Sequence, residues 1–357
     1  MDAPLPIEGI TIRMVETAWL KMHTYFSGAE DGIPVIFLHG NFASALYWQQ
    51  TMVSLPAGFR GIAPDMRGYG WTEFKPVDAT RGYRDWVEDL LALMDALKIQ
   101  KAHLVGWSLG GGVLYRLMAD HPERAYSITL VCPVSPFGFG GTKGETGIPC
   151  FPDFAGSGGG VVNPEFIRRI KEGDRSAEDA NSPRNVIAGF YYKAGFRPSP
   201  QMEEDFLTGS LREFIGPENY PGDAVPSANW PMVGPGAWGV INAGSPKYVL
   251  GDLADMEKAS VKLPVLWLRG DSDLIVSDNS MFDLGALGKL GYVPGWPGDE
   301  IYPPQPMVAQ TRYALRRYAA AGGSFEEHLI ADAGHGVHIE KPEEVNPIFH
   351  AFLKKYS

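Results

Sequence analysis

The chain has 357 residues, 45% hydrophobic, 12% aromatic and 20% charged, which suits a globular protein with a full core and room for more than one subdomain. A net charge of −11 without any basic cluster argues against a nucleic-acid partner. No apolar run reaches the ~18 residues that a membrane span requires. The N-terminal MDAPLPIEGITIR lacks a basic stretch followed by an apolar run, so no secretory signal is visible and a cytoplasmic location is expected, although a trimmed secreted form would look the same. The two cysteines, Cys132 and Cys150, are open to one disulfide or to two free thiols, and no metal-ligand spacing is present.

Residues 7–14 and 19–26 alternate apolar and polar side chains and are broken by Gly28 and Asp31-Gly32, the pattern of two antiparallel strands at a sheet edge. Residues 34–38 form a continuous apolar run, expected for a strand buried on both faces, and it ends in His39-Gly40-Asn41-Phe42. A helical segment at about 45–54 precedes a strand at 59–63, which runs into Asp65-Met66-Arg67-Gly68-Tyr69-Gly70. Residues 83–97 read as an amphipathic helix, with Trp86, Leu90, Leu93, Met94 and Leu97 on one side.

The most informative stretch is 101–121. Residues 102–105 read as a short buried strand, and Val113, Leu114, Leu117 and Met118 recur at helical spacing until His121-Pro122. Between them lies Gly106-Trp107-Ser108-Leu109-Gly110. Strand, sharp turn with a serine at its tip, then helix is the geometry of a nucleophile elbow, and glycine is the residue that tolerates its crowding. A further strand follows at 127–131.

From Phe137 to about Ser260 the alternation fails. Two glycine-rich clusters, 138–147 and 156–160, lead into helical pieces near 164–172, 183–194 and 199–214 and then into a Pro/Gly/Trp-rich loop at 221–239. Roughly 125 residues is far beyond the usual connection length, so this is an insertion with its own structure. The sheet resumes at 263–268 with Arg269-Gly270-Asp271-Ser272-Asp273 after it. Residues 283–307 look like a second loop insertion. A helix at 310–320, a strand at 324–330, Ala333-Gly334-His335-Gly336 and a helix opening at Pro342 complete the chain.

These residues resemble the α/β-hydrolase family: His39-Gly40 after a strand, Asp65-x-Arg67-Gly68-Tyr69-Gly70 after the next, the elbow at Ser108, and His121-Pro122-Glu123-Arg124 before another strand. Alternating strands and helices independently imply a parallel sheet covered on both faces. The expected fold is therefore a mostly parallel, eight-stranded, doubly wound α/β sheet, formed by 1–136 and 261–357, with a mainly helical cap at 137–260 between strands six and seven.

A serine hydroxyl is a poor nucleophile at neutral pH and needs a base, which in turn needs a group to orient it. Open α/β sheets place their sites at the C-terminal ends of strands. Ser108, Asp273 and His335 all fall there, and their chain order is the one the resemblance implies. His338 competes with His335 but lacks flanking glycines. Asp271 competes with Asp273 but reads as a turn residue. The oxyanion donors are expected to be the backbone N–H groups of Leu109, at the helix start, and Asn41, with Phe42 as second choice. The resemblance makes the Asp65–Arg67 loop and His39 structural.

Related dehalogenases and epoxide hydrolases carry aspartate at the nucleophile position, whereas Ser108 favours acyl transfer. The expected activity is a cofactor- and metal-independent serine esterase or lactonase acting on a hydrophobic, perhaps aromatic, small molecule. C–C bond hydrolysis of a diketone-type ring-cleavage product, or a slow ligand receptor on the same triad, are the alternatives. Phe42, Trp107, Tyr191, Trp230 and Trp238 are the candidate substrate-binding side chains, against the simpler reading that aromatic residues of the cap form its own core.

Overall fold

A computed structural model describes residues 2–357. Eight strands form the main sheet: β1 (Ile10–Glu16), β2 (Lys21–Ser27), β3 (Ile33–Leu38), β4 (Phe59–Pro64), β5 (Ala102–Trp107), β6 (Ala125–Val131), β7 (Pro264–Gly270) and β8 (Ser324–Ile330). Their spatial order is β1-β2-β4-β3-β5-β6-β7-β8. β2 runs antiparallel to both neighbours and every other pairing is parallel. The principal helices are α1 (Arg84–Ala96), α2 (Leu109–Asp120), α3 (Pro164–Lys171), α4 (Pro200–Ser210), α5 (Asp252–Lys258), α6 (Met307–Ala320) and α7 (Pro342–Lys355).

The central strands are apolar throughout because each face has a cover. Successive side chains of a strand point to opposite faces. Ile36, Leu104, Leu130 and Val265 therefore pack with Trp86 and Leu90 of α1, Val113 and Leu117 of α2, and Leu315 of α6. Val35, Phe37, Val105 and Leu266 pack on the other side with Phe349 and Phe352 of α7 and with Tyr47, Trp48 and Met52. Parallel pairing has a further consequence. Leu38, Gly106 and Leu130 lie side by side in register, so β3, β5 and β6 end at one edge, and the loops that follow them are neighbours.

The segment between β6 and β7 is less helical than expected. Besides α3, α4 and α5 it holds three small two-stranded ladders among the described residues: Thr142–Lys143 with Ile148–Pro149, Ile215–Gly216 with Tyr220–Pro221, and Ala224–Pro226 with Val233–Pro235. The glycine clusters account for the irregular backbone at 138–158, which holds the first of these ladders. Gly138, Gly140, Gly141, Gly144, Gly147, Gly156 and Gly158 all take positive φ, which a right-handed helix does not accommodate. The expected helix at 183–194 is one turn, Pro183–Val186, followed by a wide π-type turn at Ile187–Tyr191.

Nor does this segment bury a core of its own. Phe166, Ile170, Tyr191, Phe206 and Leu207 join the apolar cluster on the α7 side of the sheet, and Phe206 stacks on Tyr47 at 4.0 Å. The 283–307 stretch closes over the glycine clusters. The Tyr302 hydroxyl donates to Gly156 O (2.8 Å), Gln305 Nε2 donates to Gly138 O (2.9 Å), and Gln305 Oε1 accepts from Gly140 N (2.7 Å).

Arg116 of α2 ties the end of the insertion to the elbow helix. It is buried and donates to Asp252 (2.9 Å) and Asp255 (2.9 Å) of α5 and to Asp120. Burial pushes the Asp252 carboxyl up to about 6 in spite of the arginine. Removing one partner of a buried ion cluster leaves uncompensated charge, so Arg116→Ala is predicted to lower unfolding free energy by about 3–5 kcal/mol, read by urea denaturation.

Candidate active site

The turn after β5 is built around one strained residue. Ser108 has φ 54° and ψ −114°, a region that L-residues other than glycine rarely occupy. A Cβ on Gly106 would lie 2.4 Å from Gly110 O, and one on Gly110 would lie 2.5 Å from Leu38 O, so neither position admits a side chain. Three backbone hydrogen bonds fix the tip. Ser108 N donates to Val131 O (3.0 Å), and Ser108 O accepts from Gly111 N (2.9 Å) and Val134 N (3.1 Å). The serine therefore stands at the N-terminus of α2 on a turn whose shape its neighbours enforce.

The loop after β8 supplies the histidine. His335 Nδ1 lies 2.8 Å from Asp273 Oδ2, and both side chains are buried. A carboxylate accepts, so Nδ1 donates to Asp273 and the contact fixes the orientation of the ring. The other Asp273 oxygen accepts from Ile275 N (2.7 Å) and Val276 N (2.9 Å), which orients the carboxylate from behind. Trp107, next to Ser108, donates its indole N–H to His335 O at 2.9 Å and thereby links the two loops. Among the described residues no hydrogen bond joins Ser108 Oγ to His335. Such bonds commonly tighten only when substrate is bound.

The loop after β3 presses on the serine: a Cβ on Gly40 would sit 3.1 Å from Ser108 Cβ. Three hydroxyls hold this loop. Tyr69 donates to Asn41 Oδ1 (2.9 Å), Tyr191 donates to Asn41 O (2.8 Å) and Phe42 O (3.0 Å), and Ser210 Oγ donates to Phe42 O (2.9 Å). Burial holds the phenols of Tyr69 and Tyr191 well above their usual range, so both remain donors. With its side chain and carbonyl occupied, Asn41 has no partner for its backbone N–H among the described residues, and neither does Leu109.

Of the aromatic candidates, Phe42, Trp107 and Tyr191 gather here. Phe42 meets Phe166 edge-on at 5.0 Å, and Trp107 meets Tyr191 edge-on at 5.5 Å. Trp230 and Trp238 are not part of this cluster. Trp230 donates to Pro294 O (3.0 Å) and packs against Tyr302, while Trp238 is 43% exposed and pairs by its backbone with Asp78.

The rival residues have other partners. His338 is buried, stacks on Trp48 at 4.3 Å and has no acid, and burial lowers it to about 3. Asp271 Oδ1 accepts from Ser272 Oγ and Asp332 N. Asp65 and Arg67 do not pair with each other: Asp65 binds His23 (2.8 Å), and Arg67 makes a two-point contact with Asp89. His39 accepts from Met66 N through Nε2.

Two residues escaped sequence reasoning. Cys132, a free thiol with φ 41°, brings its sulfur within 4.8 Å of the Asp273 and His335 ligand atoms, and burial pushes the thiol pKa up. These three are the one group of the described residues spaced to hold a metal ion, but Asp273 and His335 already satisfy each other. Glu340 accepts from Gly334 N (2.8 Å) with one oxygen and from Lys193 N (2.8 Å) with the other, and Gly336 N donates to Tyr191 O (2.7 Å). The histidine loop is thus stitched to the segment between β6 and β7. The only sequence signal was an acid shortly after the histidine.

A family profile described as "alpha/beta hydrolase fold" matches residues 33–157. Among curated relatives, 2-hydroxymuconate semialdehyde hydrolase of Pseudomonas sp. (strain CF600) is 32% identical over 190 residues, 52% of this chain. The chain spans 62% of that relative's length, under two thirds of it. Among solved structures, serine hydrolase CCSP0084 of the polyaromatic hydrocarbon-degrading bacterium Cycloclasticus zankles superimposes with TM-score 0.59 at 18% identity, covering 97% of this chain and 98% of that one. Naproxen esterase (carboxylesterase NP) of Bacillus subtilis does so with TM-score 0.56 at 20% identity, covering 96% and 91%. The matched profile over residues 33–157 and the sheet shared with these structures show the α/β-hydrolase fold.

Replacing Glu340 by Ala strands one buried N–H donor, that of Gly334, and one part-buried donor, that of Lys193. The variant is predicted to lose about 2 kcal/mol or more of stability, measured by thermal or urea unfolding.

Proposed function

We propose that the protein is a serine hydrolase that cleaves a carboxylic ester or lactone of a hydrophobic, aromatic small molecule through an acyl-enzyme. The observation that carries this reading is the His335–Asp273 hydrogen bond, made by the loops after β7 and β8, which lie beyond β6 on one side of the elbow strand β5. Ser108 Oγ attacks the carbonyl carbon while His335 Nε2 takes its proton. Asp273 keeps the imidazole in the productive tautomer and stabilises its cation. The developing oxyanion is held by Asn41 N–H and by Leu109 N–H, the latter helped by the N-terminal dipole of α2. His335 returns the proton to the leaving oxygen. Water, deprotonated by the same histidine, then releases the acid.

A second reading is supported by the 32% identity to a 2-hydroxymuconate semialdehyde hydrolase. In it the same three residues hydrolyse a C–C bond beside a ketone. Aryl esters and a dienone substrate, assayed side by side, separate the two: the ester reading predicts faster kcat/KM on the esters, and the reverse order favours C–C cleavage.

A fluorophosphonate probe should label the wild-type protein and fail to label Ser108→Ala. Equal labelling of both would remove Ser108 as the nucleophile. Asp273→Asn is predicted to preserve the fold and lower kcat on the order of 10³–10⁴-fold, because the histidine tautomer is then no longer enforced.

A further inference from the structure

Glu213 lies in the turn that follows α4, and its backbone is bracketed by the loops of the active site. Its own N–H donates to Ser210 O (3.2 Å), and the Ser210 hydroxyl donates to Phe42 O beside Asn41. The next residue, Phe214, donates its N–H to Gly68 O (3.3 Å), the neighbour of Tyr69, whose hydroxyl holds the Asn41 side chain. Asn219 Nδ2 closes the same turn on Gly68 O (3.0 Å) and Phe214 O (2.8 Å).

The Glu213 side chain is 6% exposed, and neither carboxyl oxygen has a hydrogen-bond partner. Its electrostatic neighbours are the hydroxyls of Tyr69, Tyr191 and Tyr220. Tyr69 and Tyr191 already spend their protons on Asn41 and Phe42. Burial alone holds the carboxyl well above the usual carboxylate range. A neutral carboxyl has one donor and one acceptor to offer. Leaving both unused in the interior is destabilising, and such groups call for a functional account.

We propose that Glu213 recognises a hydroxyl on the substrate close to the scissile carbonyl, with its O–H donating to the hydroxyl oxygen and its C=O accepting from the hydroxyl proton. A hydroxyl matches a neutral carboxyl because each group donates once and accepts once. This deepens the serine-hydrolase reading above and rests on it. It narrows the substrate class to hydroxylated esters or lactones, and it makes Glu213 a determinant of specificity rather than a participant in bond cleavage.

The test compares two ester pairs: p-nitrophenyl butanoate with p-nitrophenyl 3-hydroxybutanoate, and phenyl acetate with 2-hydroxyphenyl acetate, so that the hydroxyl sits once on each side of the ester. For at least one pair the wild-type kcat/KM should favour the hydroxylated ester by roughly tenfold or more. Glu213→Leu should bring that ratio to near one. Glu213→Gln, which also donates and accepts, should keep most of it. Glu213→Leu should unfold at the same temperature as wild type or higher, since an unpaired polar group gives way to hydrocarbon.

A wild-type ratio near one for both pairs overturns the inference. So does a Glu213→Leu variant with a lower unfolding temperature and parallel losses on both members of a pair, which would mark Glu213 as an internal anchor bridged by buried water. Fluorophosphonate labelling keeps the two levels apart. A protein that is labelled and hydrolyses esters without hydroxyl preference loses only this inference, whereas one that is neither labelled nor active on any ester loses the serine-hydrolase reading and the inference with it.

Discussion

The turn at Ser108 is the constraint on which the site depends. A non-glycine residue at φ 54° is unfavourable by order 1–3 kcal/mol and persists only where its surroundings over-determine it. Here they do. The carbonyl of Leu38 fills the space where a side chain at residue 110 would go, and the carbonyl of Gly110 does the same at residue 106. β3, β5 and α2 therefore meet at a distance that glycine alone permits. This close approach brings the loop after β3 against Ser108 and leaves the first N–H of α2 free beside it. Strain at one residue thus sets both the placement of the buried Ser108 hydroxyl and the position of the proposed oxyanion donors.

Around that fixed point, long-range hydrogen bonds position the rest. Trp107 reaches His335 O, Tyr191 reaches Asn41 O, and Glu340 spans Gly334 and Lys193. Each joins segments far apart in the chain. The segment between β6 and β7 is consequently no loose lid over a finished site. It contributes the hydroxyls of Tyr191 and Ser210 that hold the loop after β3, and it shares its apolar residues with the α7 face of the sheet. A change in this segment would be felt at Asn41 and at the histidine loop together.

The legible part of the molecule is the part governed by local rules. Alternation marked the edge strands β1 and β2, and apolar runs marked central strands such as β3 and β5, where burial on both faces leaves a continuous signal in the sequence, while helical spacing marked α1 and α2. The glycines around Ser108 and His335 marked turns that only glycine tolerates. What was not legible depends on direction. Aromatic content could not say that Trp230 turns toward Pro294 or that Trp238 faces solvent. Glu340 and Lys193 are 147 positions apart, and no spacing rule connects them. The glycine clusters at 138–160 signalled irregular backbone, but not that Tyr302 and Gln305 of the 283–307 stretch would bind it.

The central claim is that Ser108 becomes covalently acylated. The most direct measurement is mass spectrometry of protein mixed with an aryl acetate, quenched in acid within the first turnovers and digested. An acyl-enzyme at Ser108 gives an added acetyl group on the peptide carrying Ser108, appearing before steady state and accumulating in His335→Gln only slowly if at all. Turnover of the ester with no acetyl on that peptide, or with the acetyl on another residue, would contradict it.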